Sequence, residues 1–392
     1  MRIARTDIID RDPSDDRVLV VIFMRGGADG LTLVAPHADD WYYRARPTLA
    51  VPASRLLRLN DRFSLNSALQ PLMPLWDAGA LRIVHGAGTD DTSHSHFEAQ
   101  DHLEHGGSAG AGWIARWMRA RGGTAGPLAA VAIGTTLPES LRGAPSGVVV
   151  QRIRDFRLMG DDRRLIDGLS RLYADERGGL GDAARAALEA EARLRRLRAQ
   201  ADSALPAGYP DSALGRGLRE VAQLIRADTG LAVTTIDAVG FGFGWDTHFV
   251  QNEAIPGLMG DLAASIAAFR ADLGVAAKRV TIVAMTEFGR RVAENTSLGS
   301  DHGSGSVAFV IDDRPPGGAG LECGWTSLAP DALVEPGDVP VTTDLRRILG
   351  DVIAARDPHV DLEAVFPRGS ASAVTSTYAR RRCCDSPFCS HA

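Results

Sequence analysis

Arg17-Val18-Leu19-Val20-Val21-Ile22-Phe23-Met24, running directly into Arg25-Gly26-Gly27-Ala28-Asp29-Gly30, decides the fold of this chain. An unbroken apolar run this short, rich in β-branched residues, suits a strand buried on both faces better than a helix. The glycine pair ends it abruptly. Working outward, residues 80–85 repeat the pattern and open into Gly86-Ala87-Gly88. Residues 231–237 run into a glycine-rich turn at 240–244, residues 279–285 end in Thr286-Glu287-Phe288-Gly289-Arg290, and residues 306–311 follow Asp301-His302-Gly303. Residues 148–150 read more weakly as a strand. Helical patterns at 69–78, 258–273 and 343–355 lie between these runs. The alternation predicts an α/β fold: a mostly parallel sheet covered by helices on both faces. Residues 152–228 differ, reading as consecutive helices broken by Pro206 and Pro210, and are expected to form a helical insertion. The predicted organisation is one domain over 1–370, followed by a cysteine-rich tail at 371–392 that is expected to be flexible.

Composition narrows the function. The 392 residues are 45% hydrophobic and 23% charged, with a formal net charge of -6. Basic and acidic residues are mixed throughout, so nothing selects nucleic acid as a partner. No stretch reaches the roughly 18 to 20 apolar residues of a membrane span, and no apolar run follows the basic residues of the first segment. The expectation is therefore a cytoplasmic protein with no membrane partner. Cys323 stands alone, whereas Cys383, Cys384 and Cys389 crowd beside His391 at the end of the chain. That tail reads either as incidental or as a soft-metal or redox element.

In an open α/β sheet, ligands sit beyond the carboxyl ends of the strands, and the polar motifs fall there. Asp29 is a strand-end carboxylate in a tight turn, suited to a hard metal or simply to the turn. Arg25 beside it suits a substrate oxyanion or an ion pair. Five histidines, including His94 and His96, fall within residues 85–105. Ser95, at the entry to a helix predicted over 97–104, is the preferred nucleophile over Thr92 and Ser93, with helix capping as the plain alternative. Asp246 with His248, and Asp301 with His302, recur as pairs at strand ends, and mixed oxygen and imidazole ligands suit zinc or manganese, one ion or two. Glu287 reads as a ligand, an acid or base, or the partner that orients a metal-bound histidine. Arg290 reads as an anion binder or as ordinary surface charge.

Taken together, the motifs Arg25 to Gly30, Ser95-His96-Phe97-Glu98-Ala99-Gln100, Gly244 to His248, Thr286 to Arg290 and Asp301-His302-Gly303 resemble the bacterial family called domain of unknown function 1501. The resemblance runs from about Arg17 to Pro367. That family is similar to the alkaline phosphatase and sulfatase superfamily, which hydrolyses or transfers phosphate and sulfate esters with metal ions. The resemblance implies an alkaline-phosphatase-like domain in which Asp29, Asp301 and His302 gather one metal with a nucleophile from the Ser95 turn, while Asp246 and His248 serve a second. It also implies a departure: the superfamily's Asp/His pair is usually four apart, and here it is two apart. Either His94 or His96 then completes a second site, or the protein binds one ion. No Cys-x-Pro-x-Arg motif is present, so a modified-cysteine nucleophile is excluded. The expected function is a metal-dependent hydrolase or transferase acting on a small-molecule or protein-borne anionic ester. The alternatives are a metal enzyme of redox or modification chemistry using the tail, and a non-catalytic metal-binding or partner protein.

Overall fold

The computed structural model describes residues 17–107, 110–122, 126–157, 162–200, 208–240 and 244–367. Its strands are β1 (Val18–Phe23), β2 (Val34–Ala35), β3 (Leu56–Arg58), β4 (Ser64–Asn66), β5 (Leu81–Gly88), β6 (Ala130–Ile133), β7 (Val148–Val150), β8 (Val233–Asp237), β9 (Val280–Met285), β10 (Ser306–Ile311), β11 (Gly320–Cys323) and β12 (Thr343–Asp344). Nine of them make one sheet in the order β11-β5-β10-β9-β1-β8-β6-β7, with β12 beside β5. Strands β2, β4 and β3 form a small separate sheet.

Strand β1 lies at the centre, parallel to β8 and β9. Its side chains alternate between two cores: Val18, Val20 and Ile22 pack on one face, and Leu19, Val21 and Phe23 on the other. That double burial is why the run is apolar at every position. The sheet is mixed but mostly parallel, with helices on both faces. The exception is β10, antiparallel to both β9 and β5. Because it runs backwards, the loop that enters it emerges at the edge where the parallel strands end. This reversal brings residues 301–303 level with the ends of β1, β5, β8 and β9.

Several elements depart from the sequence expectation for identifiable reasons. The helix expected over 69–78 is a 3-10 turn, Ser67–Leu72, followed by the short helix Met73–Asp77. Pro71 and Pro74 each remove an N–H, so a continuous α-helix is not available there. Residues 343–344 are extended and pair with β5 before Asp344 caps the helix Leu345–Arg356. Strand β6 was not anticipated, because alanine gives its short run little strand character. In the helical stretch, Ala213–Arg226 buries Leu214, Leu218, Val221 and Ile225 in the main core. A Cβ on Gly217 would come within 2.3 Å of Ile236, so this helix lies directly on the sheet. Among the described residues, no helix is long and apolar enough to cross a membrane.

Candidate metal centre

The loops at the carboxyl edge are locked by close backbone approach. Gly26 has φ +117, and a Cβ there would sit 2.5 Å from the Asp246 nitrogen. Only glycine lets the turn after β1 nest against Trp245 and Asp246 in this way. The buried Arg290 guanidinium ties the same pieces together. It donates to the carbonyls of Gly26, Gly27, Trp245 and Ser300, and at 2.6 Å to Asp246 Oδ1. Asp246 is thus held in place by the neighbouring loops.

Three imidazoles surround it. His96 opens the helix His96–His105, whose N-cap Ser95 does not use its hydroxyl to cap. His96 Nδ1 donates to Glu287 Oε1 at 2.9 Å. His302 Nδ1 donates to the His94 carbonyl at 2.7 Å. His248 Nδ1 donates to Asp301 Oδ1 at 3.3 Å. A carbonyl or carboxylate oxygen can only accept, so in the neutral tautomer that keeps these bonds each ring carries its proton on Nδ1 and a lone pair on Nε2. All three Nε2 atoms face Asp246. His302 and His248 lie 3.2 and 3.1 Å from Oδ1, and His96 lies 3.3 Å from Oδ2. The His248 and His302 Nε2 atoms are 2.9 Å apart. The His96 Nε2 is buried and not aligned for a hydrogen bond. Lone pairs converging on one carboxylate repel unless a proton or a metal cation lies among them.

His96, Asp246 and His302 have their ligand atoms within 4.8 Å of one another, the spacing of residues that could share a metal ion. Imidazole nitrogens plus a carboxylate are the donors that zinc and manganese accept. A proton is the competing cation. Burial alone would lower the His96 pKa, but the Asp246 and Glu287 carboxylates on either side outweigh it and push it up to about 9. Burial would raise Asp246, yet the facing His302 and His96 rings, in the forms that carry an Nε2 proton, and the Arg290 guanidinium hold it well below the usual carboxylate range. Glu287 is likewise held low against its own burial by His96, Gln100 and the Gly26 N–H. It stands behind the ring as its orienting partner.

The other residues singled out from sequence sit differently. Asp29 is fully buried and does not reach the cluster. Its Oδ2 accepts from Arg46, Thr32 and Gln251, and its Oδ1 from the Leu31 N–H. Asp301 lies behind His248, held by Asn295, and not among the three grouped ligands. The His94 ring pairs with the buried Asp338 at 2.9 Å, and Ser304 donates to the same oxygen. His94 also has φ +51, a conformation rare outside glycine, which aims its carbonyl at His302. Arg25 is engaged by Gln100, Glu104 and Asp237 and stacks on Phe23, so its fork is not free for an oxyanion. Cys383, Cys384, Cys389 and His391 lie outside the described residues.

Sequence reading missed Gln100, Asp338, Arg46 and Gln251. Gln100 carried a usable signal. It lies four residues after His96, hence on the same helical face, and it donates to Glu287 at 2.9 Å. Asp338 offered none, being a lone acid in an aperiodic loop.

No curated protein matches the chain. Residues 88–324, well over half of it, match the model of a family described as "Protein of unknown function (DUF1501)", and they contain His96, Asp246, Glu287 and His302. The chain belongs to the DUF1501 family.

Proposed function

We propose that this chain is a single-ion, metal-dependent hydrolase or transferase of phosphate or sulfate esters, built on an alkaline-phosphatase-like domain. The observation that carries the reading is the set of Nε2 atoms aimed at Asp246, each fixed by an oxygen acceptor on its Nδ1. His96, Asp246 and His302 would hold the ion, with His248 beside them. Zinc is the better fit to a nitrogen-rich set, with manganese second. When bound, the ion would supply Lewis-acid polarisation of an ester oxygen.

The chain's own groups supply the rest. Ser95 is the nucleophile: its hydroxyl is not used in capping, and it precedes ligand His96 at a helix N-terminus. Backbone N–H groups at such a terminus favour an anionic ester oxygen. Arg290 and Glu287 position Asp246 and His96 rather than touching substrate. The motif resemblance to the alkaline phosphatase and sulfatase superfamily supports the ester class, and a cytoplasmic location remains part of this proposal.

Metal content of the purified chain tests the centre, compared with Asp246→Asn and His302→Ala. About one ion per chain, lost in both variants, is expected; content unchanged in both would remove the centre. Ser95→Ala should then lower turnover of phosphate or sulfate esters roughly a thousandfold or more, while metal content holds. One observation favours a second reading, a metal-binding protein without ester chemistry: Arg25 and Arg290 are both already paired with carboxylates of the chain. Full metal content with no turnover of any ester would select it.

A further inference from the structure

Beside the metal centre, an open cavity of about 390 Å³ lies beyond the carboxyl ends of β6 and β8. Ligand cavities of this size and position are typical of open α/β sheets. Arg25 and Gln100 form its wall toward the metal centre, and none of His96, Asp246 and His302 lines it. We propose that this cavity binds a small hydroxyl-bearing anion, a sugar phosphate or sugar acid, independently of the metal.

Charge carries the first part of the case. Arg25 is outweighed by the carboxylates of Glu104 and Asp237, the latter itself in the lining, so the positive charge available to a ligand comes from Arg152 and Arg216. Their carboxylate partners lie outside the lining. Asp155 is 3.8 Å from Arg152 and 60% exposed, and Asp211, which pairs with Arg216, is 95% exposed. Surface ion pairs of this kind are weak, so a ligand anion offering two oxygens to a guanidinium fork displaces them readily. Ala213, at the positive end of the helix Ala213–Arg226, also lines the cavity.

The walls carry the second part. Thr135, Thr136, Thr235 and Gln151 each offer both a donor and an acceptor, which matches ligand hydroxyls. Ile133 and Ile236 supply apolar surface for the C–H faces between them. A fully apolar ligand would strand these hydroxyls, and a bare ion would leave most of the volume unused.

Calorimetric titration of the full chain with glucose 6-phosphate, gluconate and glucose tests this. At least one of the two anions is expected to bind roughly tenfold tighter than glucose, and which one identifies the anionic group. The Arg152→Gln, Arg216→Gln double variant should bring that anion down to the level of glucose. Asp246→Asn should leave it unchanged. Equal binding of all three compounds, or none, overturns the proposal. So does an affinity that survives the double variant, or one that disappears with Asp246→Asn, since the anion would then be at the metal centre. If the double variant loses its fold, Thr235→Val and the single Arg216→Gln change decide by the same loss of affinity. Metal content is measured in parallel, so failure here is distinguishable from failure of the metal centre.

Discussion

Asp29 and Asp246 both sit on glycine-rich turns at the same edge of the sheet, yet their surroundings are opposite. Asp29 is fully buried and meets only donors: a guanidinium, a hydroxyl, an amide and a backbone N–H. Its pKa is held low by Arg46, Thr32 and Gln251, against the upward push of burial. Arg46 is itself well engaged, donating also to the Thr32 hydroxyl and to the carbonyls of Val292 and Arg291. Asp246 also receives an arginine, but three imidazole Nε2 atoms share its remaining space. Position at a strand end does not make a carboxylate a ligand. What matters is whether the groups facing it can bring only protons or can give up a proton and offer a lone pair.

The largest effect should come from the closed knot. Arg46→Ala leaves Asp29 as an uncompensated buried charge and should lower unfolding stability by about 3–5 kcal/mol. Urea denaturation reads this, and the folded protein should keep its metal. The contrast would break if Asp29→Asn removed the metal while leaving the denaturation midpoint in place. Next is Asp246→Asn, expected to weaken metal affinity by roughly 100-fold or more in a chelator competition, with a smaller loss of stability. Glu287→Gln keeps the shape but weakens the acceptor behind His96, and roughly 10- to 100-fold lower affinity is expected. An unaltered affinity would mean that Glu287 does not orient a ligand.

The smallest effect is a pH dependence of the metal-free protein. The folded-state pKa of His96 is raised above its ordinary value of 6.5 to about 9. Its contribution is therefore complete below about pH 6.5 and is lost as pH rises through about 9. Metal must displace the same proton, so affinity should rise over that window while metal-free stability falls. Thermal melts with and without zinc should diverge as pH increases. Parallel curves would place the His96 proton outside the competition.

The fold was legible where burial leaves no freedom. Strands β1, β9 and β10 are apolar at nearly every position because both faces are covered, and among the described residues no other element of six residues reads that way. Strand β11 was not legible, because its residues are half-buried at the sheet edge and follow no pattern. In the site, His96, Asp246 and His302 were flagged by residue type and strand-end position. Their grouping was not, because it depends on the reversal of β10, and direction is not written in an apolar run. Arg46 was hidden for a related reason. Nothing local to Arg46-Pro47 announces that its guanidinium is buried against Asp29.

The reversed strand has a consequence in time. The candidate ligands at 96, 246 and 302 are spread over more than half the chain, and the last is delivered by the loop that enters β10. A ribosome that has released the chain only as far as β9 has made two of the three ligands, with nothing to hold the third. Under the proposed function, metal capture would be a late event in synthesis, available only once β10 has slotted between β5 and β9. On the proposed reading, an ion held by all three residues would report that the central sheet has already closed.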